Sequence, residues 1–221
     1  MIYVCGDSFN TSDKDYSGQS WYDKFSKLTP HSINLSMVCA SNLLISLQVD
    51  RAIKSTPDFI IVSFTSVTRA EVAFTHKKTQ ELLDRFYSLT SIKNKLANLT
   101  CYTIFGVNTA TALSAKQQKL LEQYTKEFFD LDLAIYRDQI IIEHTLQKLV
   151  DSKIPFLFDQ GGFEHPSYGT VDKKYFTLYD QYRSAYNLWD YMPNRSFRPY
   201  FHITDDDITT KIAKYYYSYV K

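Results

Sequence analysis

The run Met1-Ile2-Tyr3-Val4-Cys5-Gly6-Asp7-Ser8-Phe9-Asn10 decides how the rest of the chain is read. Ile2 to Cys5 is a short apolar stretch of strand-forming residues, cut off by Gly6-Asp7-Ser8. That pattern predicts a buried strand whose carboxyl end hands a serine into a tight turn. Ligands in open α/β sheets bind just beyond the carboxyl ends of strands, so Ser8 stands where chemistry is usually done. Gly-Asp-Ser is also common in ordinary loops, where Asp7-Ser8 would only turn the chain and cap a helix.

Downstream, the polar stretch Thr11 to Ser20 lacks apolar periodicity and reads as a loop, with Ser17 or Ser20 placed to cap a helix over Trp21-Tyr22-Asp23-Lys24-Phe25. Ser32 to Ser36 reads as a second short strand. A helix follows Cys39-Ala40-Ser41-Asn42, its stripe formed by Leu44, Leu47 and Ala52 with Ile45, Val49 and Ile53 beside it. Phe59 to Phe64 is a near-continuous apolar run, as expected of a strand buried on both faces of a parallel sheet.

A long helix is expected from about Thr79 to Leu99, then a fourth strand over Cys101 to Phe105. Ser114 to Phe129 and Leu131 to Val150 read as helices, the second with Leu131, Ile135, Ile142, Leu146 and Leu149 on one face. Phe156 to Asp159, opened by Pro155, reads as a fifth strand. Residues 160–200 form an irregular excursion containing Gly161-Gly162 and many aromatics, and long ordered loops are usually functional. The aromatics of Tyr175 to Tyr200 would either wall a sugar or acyl pocket or simply cover the excursion. In the last helix Thr204 is the expected N-cap, Asp205-Asp206-Asp207 complement the positive helix start, and Ile208, Ile212, Tyr215 and Tyr219 make the buried face. The alternation predicts one α/β domain over residues 1–221, a three-layer α/β/α sandwich around a parallel sheet of about five strands.

The bulk numbers exclude several classes. A net charge of +1 gives no field that would gather nucleic acid or an anionic membrane. No apolar run approaches the ~18 residues of a membrane span, and no basic start followed by an apolar stretch marks a secretory signal. Cys5, Cys39 and Cys101 are widely spaced and form neither a CxxC pair nor a disulfide framework, so a cytoplasmic, reduced protein is expected. The Asp205-Asp206-Asp207 run has no second ligand group at a helpful spacing, so neither a metal nor another cofactor is expected.

Four short blocks, taken in order, resemble the SGNH, or GDSL-like, hydrolase superfamily. Gly6-Asp7-Ser8 matches the first block, in which the family's serine is the nucleophile. Ile33-Asn34-Leu35 through Cys39-Ala40-Ser41-Asn42 is similar to the second block, and Phe59 to Arg69 occupies the place of the third. Phe201-His202-Ile203-Thr204 resembles the fifth block, which carries the histidine. The resemblance implies a flavodoxin-like fold and an esterase with Ser8 as nucleophile and His202 as general base. It implies an oxyanion hole from the N–H groups of Ser8 and Cys39, with Asp7 holding the Ser8 turn.

The chain departs from the family's blocks at three places. Cys39 replaces a glycine, whose N–H it retains. Thr65-Ser66-Val67-Thr68 lacks the family's asparagine, so the third oxyanion donor passes to the hydroxyl of Thr65 or Ser66, or is lost. Pro199 stands where the family places an aspartate, leaving Asp190, Asp205 or a backbone carbonyl to orient His202.

A serine hydroxyl needs a base to take its proton, and histidine is the usual one because its pKa lies near neutrality. His165, in Glu164-His165-Pro166-Ser167, competes with His202, which is preferred because an amphipathic helix follows it directly. Arg69 would contact a polar or anionic substrate group or form a surface ion pair. Two functions follow: a serine hydrolase acting on a small-molecule or carbohydrate ester such as an O-acetyl sugar, or a catalytically degenerate relative that binds instead, for example a viral (phage) or bacterial accessory protein.

Overall fold

The structure, a computed structural model, describes residues 1–11, 20–37, 40–67, 69–73, 99–103, 115–159, 177–184, 203 and 205–221. Strand β1 (Ile2–Cys5) lies between β2 (Ser32–Asn34) and β3 (Phe59–Ser63), and β6 (Phe156–Asp159) pairs with the far side of β3. All three pairings are parallel. Leu35 N–H donates to Val4 O and Met37 N–H to Gly6 O, so the chain after β2 keeps running beside β1.

The strands are apolar on both faces because each face meets its own helices. Tyr3, Cys5, Ile60, Val62, Phe156 and Phe158 cluster with α2 (Asn42–Lys54) and α4 (Leu131–Ser152). Their neighbours Ile2, Val4, Phe59, Ile61 and Leu157 cluster instead with α1 (Trp21–Leu28) and α5 (Asp206–Tyr219). A single four-stranded parallel sheet flanked by helices results, compatible with a three-layer sandwich. Helix α3 (Ala115–Phe128) precedes α4.

The local signals act as the sequence suggests at several points. Ser20 caps α1 in a reciprocal capping box with Asp23, and Ser41 caps α2 by accepting from Leu44 N–H. Ile142, Leu146 and Leu149 are buried along α4, with Leu131 and Ile135 packed partly against the same cluster.

Other expectations are corrected. The described residues give the main sheet four strands, not about five. The segment expected as its fourth strand instead forms β5 (Leu99–Thr103), antiparallel to β4 (Arg69–Ala73) in a separate two-stranded sheet. A β-rich run reports that a segment is extended, not which edge it joins. In the excursion, Thr177–Tyr182 is a 3₁₀ segment, and Arg183 makes a single parallel bridge to Phe158 at the β6 edge. The N-cap of α5 is Asp205, whose carboxylate accepts from Ile208 N–H, and not Thr204. The buried face of α5 is Thr209, Ile212, Ala213 and Tyr216, while Tyr219 is exposed and Ile208 and Tyr215 are half-buried. Tyrosines at 215, 216, 217 and 219 make the apolar stripe ambiguous by one position, and packing on Trp21 settles it (ring centroids 4.8 Å apart).

Candidate active site

The strand order marks a candidate position for a ligand before any side chain is considered. The chain leaves β1 for β2 on one side, then crosses back to β3 on the other, so the order reverses between β1 and β3. Crevices outside the carboxyl ends of strands at such a reversal are where open α/β sheets bind ligands. Gly6-Asp7-Ser8 leaves β1 there, and Phe64-Thr65-Ser66 leaves β3 beside it.

Ser8 opens a 3₁₀ turn, Ser8–Asn10, capped by the side chain of Asp7, which accepts from Phe9 N–H at 2.9 Å. The Ser8 carbonyl accepts from Thr11 N–H and Oγ1. Its N–H and Oγ have no hydrogen-bond partner among the described residues. Three further contacts pin the turn: the Trp21 indole N–H donates to Phe9 O, Asn34 Nδ2 donates to Asn10 O, and Asn10 N–H donates to Asp7 O. Trp21 thus packs the α1–α5 layer and holds the Ser8 turn at once.

Gly6 is required by close approach. A Cβ there would lie 2.0 Å from Asn10 Nδ2 and 3.1 Å from Ser63 O. The Asn10 amide would have to shift away from Ser63 Oγ, which donates to its Oδ1, while the Ser63 carbonyl is backbone and gives way less readily.

Two side-chain amides of α2 grip the two strand ends. Gln48 accepts from Gly6 N–H at 2.7 Å and donates to Gly6 O at 3.1 Å. Asn42 accepts from Thr65 N–H at 2.8 Å and donates to Thr65 O at 2.9 Å and to Asp138 Oδ2 at 2.6 Å. Asp138 in turn accepts from Arg137 through its other oxygen. The amides pair Gly6 N–H and the Thr65 backbone just past the ends of β1 and β3, and Gln48 adds a second donor to Gly6 O beside Met37 N–H, so these buried groups are paired.

Asp7 is fully buried, and its second oxygen accepts from Thr65 Oγ1 at 2.8 Å and pairs with Arg69 Nη2 at 3.1 Å. Arg69 also donates from Nη1 to Ala40 O at 2.9 Å. Arg69 is therefore a buried partner of Asp7 rather than part of a surface ion pair (its side chain is 3% exposed). The hydroxyl proton of Thr65 is directed to Asp7, so Thr65 supports the turn. Ser66 is buried, and its carbonyl accepts from Arg69 N–H.

A second polar group lies one strand along the same edge. Asp159 Oδ2 accepts from Ser63 Oγ at 2.7 Å and from Tyr216 Oη at 2.8 Å. Burial and the Asp159 carboxylate push the Tyr216 phenol well above its ordinary value. Burial likewise pushes up the Cys5 thiol, which makes it an inert core residue.

Asp205, a candidate triad acid, spends one oxygen capping α5. His202, Cys39 and Asp190 lie outside the described residues, as does His165. Among the described residues no three metal-ligating side chains cluster, and no helix is long and apolar enough to cross a membrane. Gln48, Asp138, Asp159 and Tyr216 carry no motif signal, and Asn42 enters only as the last residue of the second block, with no role. A hint existed only for Gln48, a polar residue inside the apolar stripe of α2. No protein-family model matches this chain, and neither does any curated protein.

Proposed function

We propose that the chain is a serine hydrolase of the SGNH type, cleaving an ester such as an O-acetyl group on a carbohydrate. Ser8 is the nucleophile and His202 the general base. The N–H groups of Ser8 and Cys39 receive the negative charge that develops on the ester oxygen. The observation that carries the reading is the state of Ser8. It stands at the strand-order reversal, in a turn pinned from four sides, with hydroxyl and N–H both unengaged among the described residues.

In the reaction His202 takes the Ser8 proton as Oγ attacks the ester carbon. The oxyanion then collapses to expel the alcohol, which leaves with that proton. Water, deprotonated by the same imidazole, frees the acid and restores Ser8. Hydrolysis of p-nitrophenyl acetate by the protein and by Ser8→Ala tests this. The reading expects the variant to lose nearly all turnover above the no-enzyme background, and equal rates would remove Ser8 as nucleophile.

One observation favours a second reading, in which the fold binds a ligand without cleaving it. With the Thr65 hydroxyl directed to Asp7, the role of the missing third-block asparagine is left to Ser66 or to no residue, and loss of one oxyanion donor typically lowers rate by ~10²–10³. A folded protein without Ser8-dependent turnover of any ester supports that reading.

A further inference from the structure

Catalysis of the proposed kind needs two donors from different chain segments held about 2.7–3.1 Å from one oxygen. On the hydrolase reading those segments are the Ser8 turn and the loop before α2, whose assigned donors Ser8 and Cys39 are 31 positions apart in sequence and share no strand hydrogen bond at Ser8 itself. Farther from Cys39 the two are tied by Met37 N–H to Gly6 O and by Asn34, which donates to Asn10 O and accepts from Ser36 N–H. Beside Cys39, a described side chain that reaches across is Arg69. Arg69 Nη2 pairs with Asp7 Oδ2, and Asp7 caps the Ser8 turn through Phe9 N–H. Arg69 Nη1 donates to Ala40 O, the residue directly after Cys39.

We propose that Arg69 is a positioning residue: a buried strut whose planar guanidinium sets the spacing between the nucleophile turn and the oxyanion loop. Its consequence for rate rests on the hydrolase reading above, whereas its effect on the two segments does not. The strut is anchored at its own base. Arg69 N–H donates to Ser66 O, Arg69 O accepts from Arg137 Nη2, and the residue opens β4. Both ends of the guanidinium are buried, so water does not substitute for either contact. Arginine suits the task because its donors are fixed in one plane, while a lysine ammonium is a single flexible point charge. Lysine at this position keeps a cation near Asp7 but is unable to hold both partners in one rigid geometry.

The test is Arg69→Lys, examined by residue-resolved amide exchange and by ester hydrolysis. The strut predicts faster exchange at both Phe9 N–H and Ala40 N–H, with core amides of β1 and β3 still protected. Faster exchange at only one site, or at neither, overturns it, whether or not the protein is a hydrolase. With turnover that depends on Ser8, kcat is expected to fall ~10–100-fold with KM within about threefold, the signature of misplaced transition-state donors. Unchanged kcat in a folded Arg69→Lys protein also overturns the proposal. Should Arg69→Lys not fold, the neutral pair Asp7→Asn/Arg69→Gln removes the unpaired buried charge but is too short to span both contacts. The same exchange and kcat changes are expected of it, and their absence counts against the strut. Equal hydrolysis by wild type and Ser8→Ala would instead mark failure of the hydrolase reading, with the exchange result still deciding the strut.

Discussion

Replacing Asn42 by alanine removes one side chain and leaves three buried groups short of a partner. Thr65 N–H and Thr65 O lose their contacts at 2.8 and 2.9 Å, and the Asp138 carboxylate loses a donor at 2.6 Å. Thr65 and Asp138 are 5% and 1% exposed, so solvent does not readily take over. Each buried backbone group left unpaired costs ~1–3 kcal/mol, and partial relaxation makes the sum less than additive, so we expect a loss of ~3–5 kcal/mol. Against the 5–15 kcal/mol typical of a folded domain, a loss of about this size is a large fraction. At roughly 2–4 °C per kcal/mol for a chain this long, Tm should drop by roughly 6–20 °C.

Urea unfolding followed by circular dichroism measures this, with the midpoint lowered and the slope unchanged. Asn42→Asp adds a control on mechanism. It keeps an acceptor for Thr65 N–H but sets a second carboxylate against Asp138, and that repulsion raises the folded pKa of the pair. Stability is then present at low pH and lost as pH rises through the raised value, so this variant should recover relative to wild type near pH 4–5. A loss below ~1 kcal/mol for Asn42→Ala would refute the idea that the amide clamp holds the end of β3.

Three further outcomes are expected. Gly6→Ala drives a methyl into Asn10 and should destabilise by ~2–4 kcal/mol, measured by denaturant titration, with near-neutral behaviour contradicting the close-approach argument. Tyr216→Phe keeps the packing on Trp21 but takes one of the Asp159 donors away, and should cost ~1–2 kcal/mol in the same assay. Cys5 and Tyr216 are held neutral in the fold, so their contributions are complete below their ordinary values and are lost as pH climbs past them. Stability should therefore decline above about pH 8.5 for the thiol and more steeply above about 10 for the phenol. A flat stability curve between pH 8 and 11 would contradict that sign.

Much of the architecture was legible because it is written locally. The doubly apolar strands Ile2–Cys5, Phe59–Ser63 and Phe156–Asp159, the Ser20 capping box and the stripe of α4 each need only a few neighbouring residues to be read. What failed was pairing. Nothing near Cys101 says that Leu99–Thr103 meets Arg69–Ala73 and not the main sheet. The polar scaffold was invisible for the same reason, since Asn42–Asp138 and Ser63–Asp159 each join residues 96 positions apart. Arg69 stands open in the sequence between a substrate contact and a surface ion pair, because an arginine in sequence carries no mark of the buried aspartate that balances it. The strand-then-turn setting that singles out Ser8 in the sequence is present in the structure, where Ser8 opens the 3₁₀ turn just beyond β1.

The central claim is that Ser8 is an activated nucleophile, and a fluorophosphonate probe tests it directly because the reagent bonds covalently to such serines. Peptide mass mapping after incubation should place the adduct on the Ser8 peptide, with none formed in Ser8→Ala. A folded wild-type chain that stays unmodified at Ser8 under prolonged, excess probe would contradict the account.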